Sequence, residues 1–276
     1  MNEPTHGFTV RRVVIALESG CENLQALETA AELAARARAE LHGIFVDDIR
    51  LLQIAALPFT RQASLHSAAS LPFEPADVEA QLRALARRAR RCLEDVATRL
   101  RVPWSFETVR GDRASVIAAT QGTDVLVVET TTRPFGQYLK MSTEWSEIAI
   151  TCERACLLTS AAGAKRKGIL AVYDGSEGGE HAVAAALALD GTRNSSLTIA
   201  STAPAAAETT LRQQLREGDT SAEVRTIKTL TLPELARVMA DANCGLLILP
   251  VELVTRHRAE LETLLAAPTC AVLLVN

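Results

Sequence analysis

Two segments with the same pattern open the two halves of this chain: RVVIALESG at residues 12–20 and GILAVYDGSE at residues 168–177. Each is a short apolar run followed by a polar turn and an Ala-rich stretch whose apolar residues recur at helical spacing. Each half also ends in a short apolar run, CLL at 156–158 and AVLLV at 271–275. Solenoid repeats are far shorter, so a repeat of this length indicates a duplicated domain.

The boundary between the two predicted domains falls at AAGAKRK, residues 161–167, a small and basic segment that is typical of a linker. We therefore predict a first domain at 1–160 and a second at 165–276. The first carries a long insertion at 47–75, which is too apolar for a disordered linker. We expect this insertion to act as a lid or partner-docking element, or as a passive cover for an exposed patch.

Strand-like and helix-like segments alternate in both halves, which predicts α/β architecture with a parallel sheet covered by helices on both faces. Right-handed crossovers restrict the topology to doubly wound sheets, which bind ligands beyond the carboxyl ends of the strands. The loops that follow the first and fourth strands of each half are therefore the candidate site. The predicted strands are 13–17, 41–46, 105–109, 124–128, 155–159, 168–173, 195–201, 222–228, 245–249 and 270–275. The predicted helices are 22–40, 76–101, 114–121, 142–153, 177–190, 206–217, 232–242 and 256–266.

Composition excludes several classes of protein. The net charge of −4 argues against a broad nucleic-acid surface, and no apolar stretch reaches the ~18 residues that span a bilayer. We expect a cytoplasmic protein with no membrane and no nucleic-acid partner. The six cysteines form no CxxC pair and are expected to be free thiols. Cys21, just before a predicted helix, is the candidate for a redox role.

The order of these segments resembles that of a tandem universal stress protein. The resemblance is carried by DGSE at 174–177, GDRA at 111–114 and APTCAVLLV at 267–275, and it covers almost the whole chain. It implies two doubly wound five-stranded domains, each with strand order 3-2-1-4-5. It also implies that the last strands pair to form a pseudo-dimer within one chain. Further dimerisation stays open.

Members of this family that bind ATP carry Gly-x2-Gly-x9-Gly-[Ser/Thr] after the fourth strand, where glycine N–H groups and a helix N-terminus hold the phosphates. The aligned positions in the first half hold Glu129, Thr132, Ser142 and Thr143, so all three glycines are replaced. Glu129 also adds a carboxylate where phosphates would lie. In the second half the corresponding loop is truncated. We therefore predict no cofactor and no ATP binding in the family manner.

The candidate ligand crevice nevertheless lies at these loops. Two of its segments also have a structural interpretation: 174–176 as a turn that caps the next helix, and 142–143 as a helix N-cap. The crevice residues are Glu18, Val46, Glu129, Thr132, Ser142, Thr143, Asp174, Gly175 and Ser176.

The sequence contains no arrangement that indicates catalysis or a metal site. It shows no nucleophile elbow, no paired acids and no Cys/His pattern, and the histidines have no metal-ligand spacing. The basic stretch at 83–91 is interpreted as a solvated helix face or as a partner surface. The predicted function is a non-enzymatic stress-response or regulatory protein that acts through an unknown protein partner or a small apolar ligand. The alternative is a nucleotide module that binds ATP or AMP with the first domain only.

Overall fold

The structure is a computed structural model. It describes residues 8–17, 24–48, 53, 57, 61–63, 70–72, 75–111, 124–129, 155–159, 166–190, 196–257, 261, 264 and 269–276. The predicted helices at 114–121 and 142–153 lie outside the described residues, as does most of the 47–75 insertion.

The first half supplies seven described strands and two described helices. Buried apolar runs form the strands, and two amphipathic stretches form the helices. The strands are β1 (Arg12–Leu17), β2 (Glu40–Asp48), β3 (Arg61–Ala63), β4 (Ser70–Pro72), β5 (Trp104–Gly111), β6 (Val125–Glu129) and β7 (Ala155–Thr159); the helices are α1 (Leu24–Ala37) and α2 (Pro75–Leu100). Strands β3 and β4 pair antiparallel in a small sheet of their own within the insertion, which the sequence analysis did not predict.

The second half repeats the strand–helix alternation without an insertion. Its strands are β8 (Gly168–Tyr173), β9 (Leu197–Ser201), β10 (Ala222–Thr226), β11 (Cys244–Pro250) and β12 (Ala271–Val275). Its helices are α3 (Glu177–Leu189), α4 (Ala205–Glu217), α5 (Leu232–Asp241) and α6 (Val251–Arg256). Helix α6 begins directly after β11, whereas the sequence predicted a helix start at 256.

The ten main strands form one sheet in the order β10-β9-β8-β11-β12-β7-β6-β1-β2-β5. Within each half, when only the strands of this sheet are counted in chain order, the strand order is 3-2-1-4-5. The two predicted five-stranded units are parts of a single ten-stranded sheet, because β7 and β12 pair with each other. Their pairing is antiparallel, as predicted, with Leu273 opposite Leu157. It satisfies backbone groups that would otherwise be exposed at two strand edges.

The hydrophobic core is continuous across the two halves. On one face of the sheet, α1, α2 and α3 cover a cluster that contains Leu93 and Leu157 of the first half and Leu189 and Leu273 of the second. A second cluster includes Leu235 of α5 and residues of β7, β11 and β12. The halves therefore share buried surface as well as strand pairing.

Candidate functional site

The crevice of the second half begins at the turn after β8. The Asp174 Oδ1 atom accepts hydrogen bonds from the backbone N–H of Ser176, at 3.1 Å, and from its hydroxyl. Ser176 is the N-cap of α3, and its Oγ accepts a hydrogen bond from the N–H of Gly179 at 3.1 Å. Gly175 has φ of +81°, which a side chain would strain. The structural interpretation of this motif as a helix-capping turn is therefore observed.

Asp174 also forms an ion pair with a residue far along the chain. Its Oδ2 accepts a hydrogen bond from Nη1 of Arg256, the last residue of α6, at 3.3 Å. The Asp174 side chain is only 8% exposed, whereas that of Arg256 is 58% exposed. Burial alone raises the pKa of Asp174, but the two hydrogen bonds from Ser176 and the Arg256 charge outweigh it and lower the pKa overall.

The two sides of this crevice are in direct contact. A Cβ placed at Gly178, in the first turn of α3, would lie 3.2 Å from Cβ of Pro250 and 3.8 Å from Oε2 of Glu252. Because α6 starts directly after β11, its first turn lies beside the first turn of α3. Arg256, at the end of the same helix, then reaches Asp174. The chain itself therefore closes the space between β8 and β11, where the winding of the sheet reverses.

The carboxyl ends of β9 and β10 are closed by a second polar network. Glu208, in the first turn of α4, accepts hydrogen bonds from Arg212 at 2.8 and 3.0 Å and from the Thr226 hydroxyl at 2.8 Å. Burial raises the pKa of Glu208, but hydrogen bonds from Arg212, Thr226 and Ser201 outweigh it, and the pKa is lowered overall. These side chains satisfy one another within the chain.

The first half is described only in part at its crevice. Val46 lies half-buried near the end of β2, and Glu129 is the last residue of β6, opposite Thr159 of β7. Glu18, Thr132, Ser142 and Thr143, together with the side chain of Glu129, lie outside the described residues. Grouping of these predicted residues into one crevice therefore stays a prediction.

Asp47 is a buried acid at this end of β2 that the sequence analysis missed. The residue is 8% exposed, and its Oδ2 accepts a hydrogen bond from Nε of Arg110 on β5 at 2.9 Å. Its Oδ1 is buried and has no hydrogen-bond partner among the described residues. A buried acceptor without a donor is costly, so Oδ1 is suited to a donor group from outside the chain. The available signal was its place beside Val46 at the carboxyl end of a predicted strand.

A chain of polar side chains also crosses β2 and β5 near their amino ends. The Ser105 hydroxyl donates to Glu40, the His42 Nδ1 lies 2.7 Å from Ser105 Oγ, and Nε2 lies 3.2 Å from Glu107 Oε1. The hydrogen bond from Ser105 is the largest influence on Glu40, whose pKa is lowered. These contacts join edge strand β5 to β2. Within the described part of the chain, no cluster of three or more His, Cys, Asp or Glu side chains could hold a metal ion.

The cysteines only partly follow the expectation of free thiols. Cys156, Cys244 and Cys270 are buried, and none of them is in a disulfide. Cys92 of α2 is disulfide-bonded, so the expectation is wrong for that residue. Cys21 and Cys152 lie outside the described residues.

The basic stretch of α2 lies on its exposed surface. Arg83, Arg87, Arg88, Arg90 and Arg91 are all exposed, and the Arg90 guanidinium carbon lies 5.9 Å from the centre of the Trp104 ring. This fits the interpretation as a solvated helix face and leaves a partner surface as the alternative. Among the described residues there is no helix that is long and apolar enough to cross a membrane.

Comparison with solved structures supports the fold. No family model and no curated protein matches the sequence. The chain is similar to the solved structure of a universal stress protein from Archaeoglobus fulgidus DSM 4304, with a TM-score of 0.62, 9% identity and 95% of each chain covered. It is also similar to a functionally unknown protein from Pseudomonas aeruginosa PAO1, with a TM-score of 0.59, 15% identity, and 96% of this chain and 92% of that chain covered. A proposed universal stress protein from Pseudomonas aeruginosa UCBPP-PA14 gives a TM-score of 0.58, 14% identity and the same coverage. The chain therefore has the fold seen in universal stress protein structures along nearly its full length.

Proposed function

We propose that this chain is a non-enzymatic stress-response or regulatory protein, built from two tandem universal-stress-protein-like domains, that does not bind ATP in the family manner. It acts through a protein partner or a non-nucleotide ligand. The observation that carries the proposal is the closed crevice of the second half, where Arg256 pairs with Asp174 and Pro250 packs on Gly178.

The remaining groups of the closed crevice also disfavour a phosphate. The N–H groups of Ser176 and Gly179, which could otherwise face an anion at the start of α3, already donate to Asp174 and Ser176. Glu177 and Glu180 add negative charge to the first turn of the same helix. A triphosphate would have to displace internal hydrogen bonds and approach like charges, both of which lower its affinity.

The first half supports a ligand of a different chemistry. Glu129 stands where ATP-binding members carry glycine, and Asp47 has a buried oxygen that no described residue supplies with a donor. Carboxylates at the ends of β6 and β2, the two strands that flank β1, disfavour phosphate. The same groups favour a small, mostly apolar ligand that carries an amine or hydroxyl donor. This is the ligand class that we propose for the first half.

Nucleotide titration of the full chain tests the proposal. We expect no binding of ATP or AMP at millimolar concentrations by calorimetry or native mass spectrometry. A low-micromolar Kd for either nucleotide would contradict it. If a nucleotide does bind, the variants Asp47→Asn and Asp174→Asn show which half holds it. Loss of binding in Asp47→Asn alone would favour the alternative of a nucleotide module in the first half.

Replacement of Arg256, which pairs with Asp174, tests whether this ion pair blocks a nucleotide site. Arg256→Ala should leave Asp174 unpaired, and we expect it to destabilise the second half without creating an ATP site. Arg237→Ala is the matched control, because Arg237 is 69% exposed and pairs only weakly, at 3.7 Å, with Glu234. If Arg256→Ala gained ATP affinity, Arg256 would be a removable gate over a functional nucleotide site, and the proposal would fail for the second half.

A cytoplasmic location is part of the proposal. The three buried cysteines that are not in disulfides fit a reducing compartment, whereas the disulfide at Cys92 fits an oxidising one. Cell fractionation with an antibody against the chain decides between the two.

A further inference from the structure

Cys244 and Cys270 form a close pair of thiols in the second half. Their Sγ atoms lie 3.9 Å apart, and the residues are 0% and 2% exposed. Cys244 is the first residue of β11, and Cys270 directly precedes β12, the neighbouring parallel strand. The pair lies at the amino ends of these strands, at the end of the sheet opposite the ligand crevice.

The backbone beneath the two thiols suits a disulfide. Neighbouring strands are ~4.8 Å apart, and the Cα atoms of a disulfide lie roughly 4.4–6.8 Å apart. Leu246 is paired with Ala271, so the two cysteines are offset by one residue from direct opposition. Both side chains belong to the same buried cluster, and on its other side β11 pairs irregularly with β8 between Cys244 and Leu246. Side-chain rotation can therefore bring the sulfur atoms from contact to bonding distance.

We propose that Cys244 and Cys270 are a modification site at which a low-molecular-weight disulfide, such as glutathione disulfide, installs a reversible intramolecular disulfide. The Cys270 thiolate attacks one sulfur of glutathione disulfide, releases one glutathione and becomes a mixed disulfide. The Cys244 thiolate then attacks the Cys270 sulfur and releases the second glutathione. The two cysteines lose two electrons, glutathione disulfide gains them, and the two thiol protons end on the two glutathione molecules.

The surroundings assign the first attack to Cys270. A hydrogen bond from the Cys244 thiol lowers the pKa of Cys270, and the positive charge of Arg166 acts in the same direction. The same contact and burial raise the pKa of Cys244. Each cysteine also has an exposed neighbour in the chain, Asn243 and Thr269, so a small local opening admits the reagent.

The disulfide would act on the strand that joins the two halves. β12 pairs with β11 on one side and with β7 of the first half on the other. A covalent bond at the start of β12 therefore fixes one edge of the joint between the halves. It also closes a loop between residues 26 positions apart, which reduces the freedom of the unfolded chain.

The test incubates the folded full chain with glutathione disulfide, blocks remaining thiols by alkylation and maps peptides without reduction. We expect a peptide that joins Cys244 to Cys270, and a rise in Tm of roughly 5–10 °C that dithiothreitol reverses. Cys244→Ser should stop the reaction at a glutathione adduct on Cys270, whereas Cys270→Ser should give neither product. Cys156→Ser is the matched control, because it removes a buried thiol of the same cluster and should leave the cross-link unchanged.

Absence of the cross-linked peptide from the wild-type chain would overturn the proposal, and this result needs no variant to fold. A cross-link from Cys156 at equal yield would also overturn it, since the reaction would then reflect general unfolding. A glutathione adduct on Cys244 in Cys270→Ser would refute the assigned order of attack.

Discussion

The joint between β7 and β12 gives the sharpest test of how the two halves are held together. Leu157 and Leu273 face each other across this antiparallel pair, and both are 0% exposed. Truncation of a fully buried leucine to alanine costs about 2–5 kcal/mol, because transfer free energy is lost and a cavity remains. Against a total stability of about 5–15 kcal/mol, either Leu157→Ala or Leu273→Ala removes a large share.

Urea denaturation followed by circular dichroism measures this loss. With a typical dependence of about 2 kcal/mol per M, a loss of ~3 kcal/mol moves the midpoint down by about 1.5 M. Leu24→Ala is the control, because this leucine is 46% exposed on α1, and we expect a change within about 0.5 kcal/mol. Since the core is continuous, both halves should unfold together in the wild-type chain.

The double variant Leu157→Ala/Leu273→Ala tests the contact itself. Residues in direct contact couple by about 0.5–3 kcal/mol, so the double loss should differ from the sum of the single losses by that amount. Strict additivity would show that the two leucines do not share one packed site. A loss below about 1 kcal/mol in each single variant would refute the reasoning that this joint stabilises both halves.

Three further predictions concern the second half. Gly179→Ala should destabilise the chain by about 1–3 kcal/mol in urea, because its Cβ would lie 2.7 Å from Asp174 Oδ1 and disturb the cap formed by Ser176; an unchanged midpoint would contradict the cap geometry. Gly245→Ala should be more harmful, since its Cβ would lie 2.0 Å from the backbone oxygen of Arg166, and expression as soluble, wild-type-stable protein would disprove that close approach. Because the pKa of Asp174 is lowered on folding, its stabilising contribution is present above its ordinary value of 3.8 and is lost as the pH falls through the lower folded value. Thermal unfolding between about pH 5 and pH 2 should therefore show a shallower pH dependence in Asp174→Asn than in the wild type, and identical slopes would count against the shift.

Much of the fold could be predicted because its strands are marked by local patterns. Strands buried on both faces read as unbroken apolar runs, as in β8 and β12, and the alternation with helices restricts the topology. The β7–β12 pairing was expected from the resemblance to tandem universal stress proteins. The β3–β4 hairpin was missed because each strand has only three residues, too few for a period-two pattern to appear.

The site was harder to predict because its decisive contacts join residues that are distant in sequence. Asp174 and Arg256 are separated by 82 positions. No local pattern indicates that α6 begins directly after β11 and so places Arg256 beside Asp174. Asp47 looked like an ordinary polar strand end, since its burial and its partner on β5 appear only in three dimensions. The thiol pair likewise depends on two strands that meet through the sheet order.

The two halves hold buried carboxylates at different positions of the fold: Asp174 follows β8, the first strand of its half, whereas Asp47 lies near the end of β2, the second strand of its half. In the second half the carboxylate at the end of the first strand is neutralised by the chain's own guanidinium and by a helix cap, so its hydrogen-bonding capacity is satisfied without a ligand. In the first half Arg110 pairs with one oxygen of Asp47, and the other oxygen is buried without a donor among the described residues, which is the condition in which a ligand gains most from supplying one. If one half responds to a small molecule, these energetics favour the first. β12 of the second half is then the strand that would transmit a structural change from the first half, because it pairs with β7.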